Sequence, residues 1–454
     1  MISTDCTPYI GGSPLARHLC VLVHGLWGNP NHMASIAKFM REKYSRDELY
    51  LLIAKRNTGS FTYDGIELGG ERVCLEIEEE LDNIEHQGGC IKKLSIVGYS
   101  LGGLVARYAV GLLNSKGILD KLEPINFTTF ASPHLGVRTP LRGYHNHLWN
   151  VIGARTLSQS GRQLFVVDKF RDTSRPLLSI LSDPNSIFIS GLQKFKRRTL
   201  YANIVNDRSA VYYTTGISKT DPFTDLSKVQ IHYLDGHGEV IVDANRPVTL
   251  IDPLQKKGVS KFAEMMAIIY CWIKRLPFVL ALVFFVPLGV IAFLINSAIQ
   301  TVKSGKRIRL HEKGLAGINV EKYRVPLIVQ SINDMREAVE ETYESLNSVQ
   351  EQEYLRSEDD EVEVDSDGEV DKSATEIMTL ERQQSTPQQP TLALTSQQFE
   401  MIKHLDNVGW RKYPVHICQD RHTHAAIILR YRKKTFQEGK VVLNHWLKDE
   451  FLLE

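Results

Sequence analysis

Short apolar runs that end in turn residues alternate with longer amphipathic stretches through the first half of the chain. Residues 18–23 (HLCVLV) run without a break into His24-Gly25, the pattern of a strand buried on both faces and closed by a turn. Residues 49–54, 94–97, 125–130 and 199–205 repeat it and are read as further strands. Between the second and third, Val73, Leu75, Ile77, Leu81 and Ile84 sit among glutamates over residues 69–85, which predicts an amphipathic helix. Residues 101–113 have helical composition and follow the 94–97 strand directly. Strands alternating with helices predict an α/β fold with a mostly parallel sheet. Residues 135–198 are mixed and are expected to form a lid-like helical excursion above that sheet. Late in the chain, residues 413–418 (YPVHIC) read as a strand, and residues 440–453 as an amphipathic helix carrying Val442, Leu443, Trp446 and Leu447.

Two segments break this rhythm. Residues 276–300 hold 25 positions without a charged side chain, flanked by Lys274 and Arg275 before and by Lys303, Lys306, Arg307 and Arg309 after. About 20 apolar residues suffice to span a bilayer. Pro287 and Gly289 interrupt the run near its middle, so a bent hairpin over residues 256–310 with basic flanks is expected. The alternative is a greasy helix pair buried in the protein. Residues 345–400 are rich in Glu, Ser, Gln, Thr and Pro and include Glu358 to Asp371, with nine acidic residues and no basic one. Too little apolar surface lies there to offset ordering entropy, so a disordered linker is expected. The division that follows is a tail over 1–17, a main body over 18–255, the apolar insertion, a helical segment over 311–344, the linker, and a C-terminal part over 401–454.

Composition narrows the classes further. The 454 residues are 43% hydrophobic and 24% charged, ordinary for a globular protein and unlike a fibrous or wholly disordered one. A net charge of +1 provides no global field for nucleic acid. Outside the acidic run the chain is mildly basic, which suits an anionic membrane surface. Its six cysteines are scattered without a C-x-x-C pair, so neither a zinc site nor a disulfide framework is indicated. The first 20 residues lack the basic and apolar regions of a secretory signal, and a chain facing the reducing cytosol is expected.

The sharpest chemical signal is Gly98-Tyr99-Ser100-Leu101-Gly102, a G-x-S-x-G pentapeptide between a predicted strand and a predicted helix. A turn that tight needs small residues two before and two after the serine, since a Cβ there would strike the neighbouring strand or helix. The serine hydroxyl then projects above the sheet, beside the N–H of Leu101 at the helix start. A second oxyanion donor is expected from the loop after an early strand, and His24-Gly25-Leu26-Trp27-Gly28 nominates Leu26. The serine needs a base, and the base needs an orienting carboxylate. Asp207 follows the strand-like YANIVN, a placement that Asp168, Asp172, Asp183 and Asp225 lack. For the base, His424 lies a few residues beyond YPVHIC, with His422 two residues away and His416, His232 and His237 also open. No metal or organic cofactor is called for.

HLCVLVHGLWGNPNHM, LSIVGYSLGGLVARYAVGLL, FTTFASPHLGV and RTLYANIVNDRSAVYYTTGI together resemble the fungal putative serine esterase family, lipases that include yeast lipid-droplet phospholipases. The resemblance covers residues 15–220 and a short tail around His424. It implies an α/β-hydrolase fold, with Asp207 and His424 at the acid and histidine positions; the usual Asn after the histidine is Ala425 here. Ser132 to Gly136 (SPHLG) is a family marker expected to shape the loop beside the site.

Topology adds an independent constraint. Ser100 and Asp207 precede the apolar stretch and His424 follows it, so a single bilayer crossing would separate them. The stretch is therefore expected to enter and leave by one face, or not to insert. The expected function is a serine-dependent lipid hydrolase of phospholipase or lipase type, with phospholipid the favoured acyl substrate. Its place would be the cytosolic face of a lipid droplet or the endoplasmic reticulum. The alternatives are a transacylase or neutral-lipid hydrolase on the same residues, or a non-catalytic membrane scaffold.

Overall fold

A computed structural model describes residues 5–138, 158–251, 291–292, 294–315, 323 and 391–453. Six parallel strands form one sheet: β1 (His18–Val23), β2 (Leu49–Ile53), β3 (Lys93–Tyr99), β4 (Glu123–Phe130), β5 (Arg197–Asn203) and β8 (Arg411–Val415), in the order β2-β1-β3-β4-β5-β8. Register runs through pairs such as Leu22 with Ile53, Val23 with Gly98 and Asn203 with Val415. A small antiparallel hairpin, β6 (Val229–Ile231) and β7 (Val248–Leu250), stands apart from it.

Continuous apolar runs make these strands because both faces of the sheet are covered. Period-two alternation sends Leu19, Val21 and Val23 of β1 into one core and Cys20 and Leu22 into the other. Helices α2 (Ile66–His86) and α3 (Leu101–Ser115) cover the first face. Helix α1 (Ala34–Lys43) and the helix Gln437–His445 cover the second, where fully buried Trp446 meets Phe130 edge-on. The sequence reading did not assign α1, whose ten residues bury only Ala34, Ile36, Ala37 and Met40. A six-stranded parallel sheet sandwiched this way is an α/β-hydrolase architecture.

The described part of the 135–198 excursion is helical, with helices Ser158–Leu164, Leu177–Ser182 and Ile187–Gln193. Phe188 lies where a Cβ on Gly111 would sit 2.2 Å from its ring, so α3 and this excursion are in close contact. Asp168 is buried here. Its Oδ2 accepts the Leu177 N–H at 3.0 Å, while Oδ1 has no partner. Burial, partly opposed by that N–H, pushes the carboxyl up to about 6. The folded state then holds a proton between the ordinary carboxylate range and pH 6 that the unfolded state releases, so stability falls as pH rises through that window. Asp168→Asn keeps the acceptor and removes the charge. We expect it to stabilise the protein by about 1–2 kcal/mol at pH 8 and by nearly nothing at pH 4, measured by denaturant unfolding.

Two expected boundaries shift. The linker expected to reach residue 400 ends earlier, because Thr391 bridges to Thr220 and Leu392, Leu394 and Phe399 are buried in the core. Thr395 and Gln398 form a capping box that starts the helix Ser396–Asp406. Two leucines and a cap are enough to fold a segment whose composition reads as polar. The C-terminal end of the expected apolar hairpin is also part of the body: residues 294–312 are helical and dock on it through side chains described below. Residues 256–290, with Pro287 and Gly289, lie outside the described residues, as do 324–390 with the acidic run. Among the described residues, no helix is long and apolar enough to cross a membrane.

Candidate active site

Strand order reverses between the second and third strands of the sheet: β1 leads outward to the edge strand β2, and the chain then returns to place β3 on the other side of β1. The crevice at the carboxyl ends of β1 and β3 is where such sheets bind ligands. Ser100 sits there, between β3 and α3, at φ 55° and ψ −129°. A non-glycine residue in that conformation costs about 1–3 kcal/mol and must be held by its surroundings. The Ser100 N–H donates to the Phe130 carbonyl at 3.0 Å, and the Ser100 carbonyl accepts from the Ser132 hydroxyl at 2.8 Å and the Gly103 N–H at 3.0 Å. A Cβ on Gly98 would lie 2.4 Å from Gly103 Cα, and one on Gly102 would lie 2.2 Å from the Val23 carbonyl. Both glycines are therefore required by backbone contacts.

His424 comes from a short helix, Thr423–Ala426, that follows β8. Its Nε2 is 2.9 Å from Ser100 Oγ and its Nδ1 is 2.8 Å from Asp207 Oδ2. An ionised carboxylate only accepts hydrogen bonds, so Nδ1 carries the proton and the Nε2 lone pair faces the serine hydroxyl. Asp207, in the loop beyond β5, is buried. Its Oδ2 also accepts from the Asn203 amide at 2.9 Å, and its Oδ1 from the Ser209 and Ala210 N–H groups at 3.0 and 2.9 Å. Burial alone would raise this carboxyl, but His424 and these donors outweigh it and hold it below its usual value. Thr423 Oγ1 donates to the Val205 carbonyl at 3.0 Å, tying the histidine loop to the aspartate loop.

The loop after β1 lies directly on the serine. A Cβ on Gly25 would be 2.7 Å from Ser100 Cβ. In this loop Gly28 N–H donates to Gly25 O at 3.0 Å and Trp27 N–H to Thr62 Oγ1 at 3.1 Å. Leu26 N–H has no acceptor among the described residues. Leu101 N–H, at the first position of α3, lacks an intrahelical partner by geometry. His24, which opens the loop, is buried and turns Nδ1 onto the Gly25 carbonyl at 3.1 Å. Its burial pulls the imidazole below its usual value.

The other histidines considered have other partners. His416 Nδ1 pairs with the Tyr233 hydroxyl and His232 Nε2 with Thr249 Oγ1, each at 2.7 Å, and the His422 backbone N–H donates to Asp420 Oδ1 at 2.9 Å. Asp172, Asp183 and Asp225 lie elsewhere in local turns; Asp183 pairs with Arg175 and Asp225 with Ser227. His237, His445 and Asp449 bring ligating atoms within 4.8 Å of one another, a group that could hold a metal ion and shares no residue with the serine site.

The sequence reading assigns Tyr99 no positioning role and expects Ser132 only to help shape the loop beside the site. Tyr99 donates its hydroxyl to the His424 carbonyl at 2.9 Å, with its ring tilted against the imidazole 5.2 Å away. The SPHLG marker acquires a physical role. Ser132 holds the Ser100 carbonyl, while His134, wholly buried, packs beside Arg107 and pairs through Nε2 with Thr129 Oγ1 at 3.0 Å. Arg107 in turn donates to the Leu181 carbonyl at 2.8 Å, so the marker joins the elbow to the helical excursion. A buried hydrogen bond of this kind contributes about 1–1.5 kcal/mol. We expect Ser132→Ala to slow fluorophosphonate labelling of Ser100 about tenfold at saturating probe, with the melting transition still cooperative.

Residues 14–220 match the family described as putative serine esterase (DUF676). The putative lipase ROG1 of Saccharomyces cerevisiae is 31% identical over 263 residues, 56% of this chain and 36% of that protein. The putative lipase YDL109C of the same yeast is 32% identical over 256 residues, 55% of this chain and 35% of that protein. The chain thus spans about a third of the length of these relatives. A solved lipase-esterase related protein from Clostridium acetobutylicum is 11% identical, with a TM-score of 0.25, over 45% of this chain and 82% of that one. Over residues 14–220, just under half of its length, the chain is similar to the putative serine esterase family.

Proposed function

We propose that the protein is a serine-dependent lipid hydrolase that cleaves acyl esters, phospholipid foremost, at a membrane or lipid-droplet surface. The observation that carries the reading is the continuous hydrogen-bonded series from Ser100 Oγ through His424 to Asp207 at the carboxyl ends of the strands. His424 Nε2 takes the Ser100 proton as Oγ attacks the ester carbonyl carbon. Asp207 keeps the imidazole in the productive tautomer and balances its charge. The Leu26 and Leu101 N–H groups receive the tetrahedral oxyanion, and His424 then delivers its proton to the departing alcohol. Water, deprotonated by His424, attacks the acyl-enzyme, releases the fatty acid and restores Ser100.

An acyl-lipid substrate is supported by the relatives named as lipases and by the apolar stretch 276–300. The body on either side of that stretch is one unit: Arg307 pairs with Asp64 and Ile241 bridges to Val415. A chain inserted there returns to the face it left, which supports a monotopic placement on the cytosolic face of the droplet or endoplasmic reticulum.

Fatty-acid release from phospholipid vesicles and from triacylglycerol emulsions tests the substrate class. Release from phospholipid is expected. Release from triacylglycerol alone would make the protein a neutral-lipid hydrolase, and acyl transfer to an added alcohol in preference to water would make it a transacylase.

A further inference from the structure

The helix over residues 294–312 is amphipathic in the wrong sense for water. Ser297, Ser304 and His311 are buried, whereas Ile291, Leu294, Ile295, Ile299 and Val302 are 56, 41, 57, 47 and 74% exposed. At about 100° per residue the exposed set forms one stripe, and the serines and His311 lie on the opposite side. Ile308 packs on the hydrophobic core, and the other inward contacts are polar and specific. Ser304 donates to the Tyr63 carbonyl at 3.3 Å, Arg307 Nε pairs with both Asp64 oxygens at 2.9–3.0 Å, and His311 Nε2 meets Glu71 at 2.6 Å. These bonds fix which face is outward. Beyond Val302 the outward side turns basic, with Lys303, Lys306 and Arg309 all exposed.

The helix connects to the loop after β1 through Tyr63. Tyr63, which accepts from Ser304 through its carbonyl, receives the Trp27 indole N–H on its hydroxyl at 2.7 Å. Trp27 follows the oxyanion residue Leu26 and is half exposed, and Phe61, also exposed, stacks under the Arg307 guanidinium at 4.8 Å. A contiguous apolar stripe of this size on one helix marks an interaction face. Its charge arrangement selects the partner: an apolar half followed by a basic half matches acyl chains beneath anionic headgroups.

We infer that the outward face of residues 294–309, with Trp27 and Phe61, is the surface that docks the enzyme on an anionic lipid layer, acyl side toward Ile295 and Ile299 and headgroup side toward Lys303 and Lys306. The inference rests on the lipid reading of the serine site, which this docking would hold against the interface.

The test is flotation of the full chain with neutral phosphatidylcholine vesicles and with vesicles containing one-fifth phosphatidylserine, beside turnover of a soluble short-chain ester. The double variant Ile295→Asp/Ile299→Asp is expected to lose vesicle binding at least about tenfold while soluble-ester turnover and the melting transition stay unchanged. Lys303→Glu/Lys306→Glu is expected to lose about fivefold or more on the anionic vesicles, with little change on neutral ones. Brominated acyl chains should quench wild-type tryptophan emission, and Trp27→Phe should remove most of that quenching. Unchanged binding in both double variants overturns the inference, as does a wild-type dimer that the Ile variant converts to monomer while vesicle binding persists. Absence of ester turnover in a wild type that still floats counts against the hydrolase reading and leaves the docking face standing.

Discussion

Replacing Ser100 by alanine lowers fatty-acid release about 10⁴- to 10⁶-fold, to the level that binding and oxyanion donors alone sustain. The loss is chemical and leaves the fold in place. Ser100 makes its backbone bonds to Phe130, Ser132 and Gly103 through N–H and C=O, all of which alanine keeps. Only the 2.9 Å contact to His424 disappears. Alanine also inherits the strained φ of 55°. Glycine would not, so Ser100→Gly is expected to be equally inactive yet more stable than Ser100→Ala by about 1 kcal/mol. Fatty-acid titration and denaturant melts of the three proteins measure both differences.

The second large effect falls on Asp207. Asp207→Asn is expected to lower turnover about 10⁴-fold with little change in KM, because an amide facing His424 Nδ1 favours the tautomer whose Nε2 carries the proton and cannot accept one from Ser100. Stability falls as well. Asn203 donates to Oδ2, and an amide nitrogen placed there would set donor against donor. The wild-type carboxyl is held below its ordinary value, so its stabilising contribution is present above the unfolded carboxylate range and is lost as pH falls through it. The stability difference between wild type and Asp207→Asn should therefore shrink on acidification.

The parts of this site that could be read from sequence are those set by local rules. Continuous apolar runs announce strands covered on both faces, and G-x-S-x-G announces an elbow because backbone contacts at Gly98 and Gly102 exclude any Cβ. Asp207 and His424 could be nominated because each follows a strand at short distance, yet nothing local separates His424 from His422. That choice is made in three dimensions, where Thr423 binds the Val205 carbonyl and directs only His424 toward Ser100. Long-range roles were illegible for the same reason. Ser132 reads as part of a family marker, and its hydroxyl acquires meaning only because β4 runs beside β3. The linker boundary was misplaced because composition averages over a window, while Leu392 and Leu394 fold through two buried side chains and a cap. The helix over 294–312 defeated hydropathy reading in another way: Ile295, Ile299 and Val302 are exposed while Ser297, Ser304 and His311 are buried.

The most direct test of the account is the rate and position of fluorophosphonate labelling in wild type, Ser100→Ala, His422→Ala and His424→Ala, with the adduct mapped by peptide mass. One adduct is expected, on the peptide containing Ser100, absent in Ser100→Ala, formed at the wild-type rate in His422→Ala and slowed at least about 10³-fold in His424→Ala. Labelling of His424→Ala at the wild-type rate, or an adduct on another serine that survives Ser100→Ala, would contradict it.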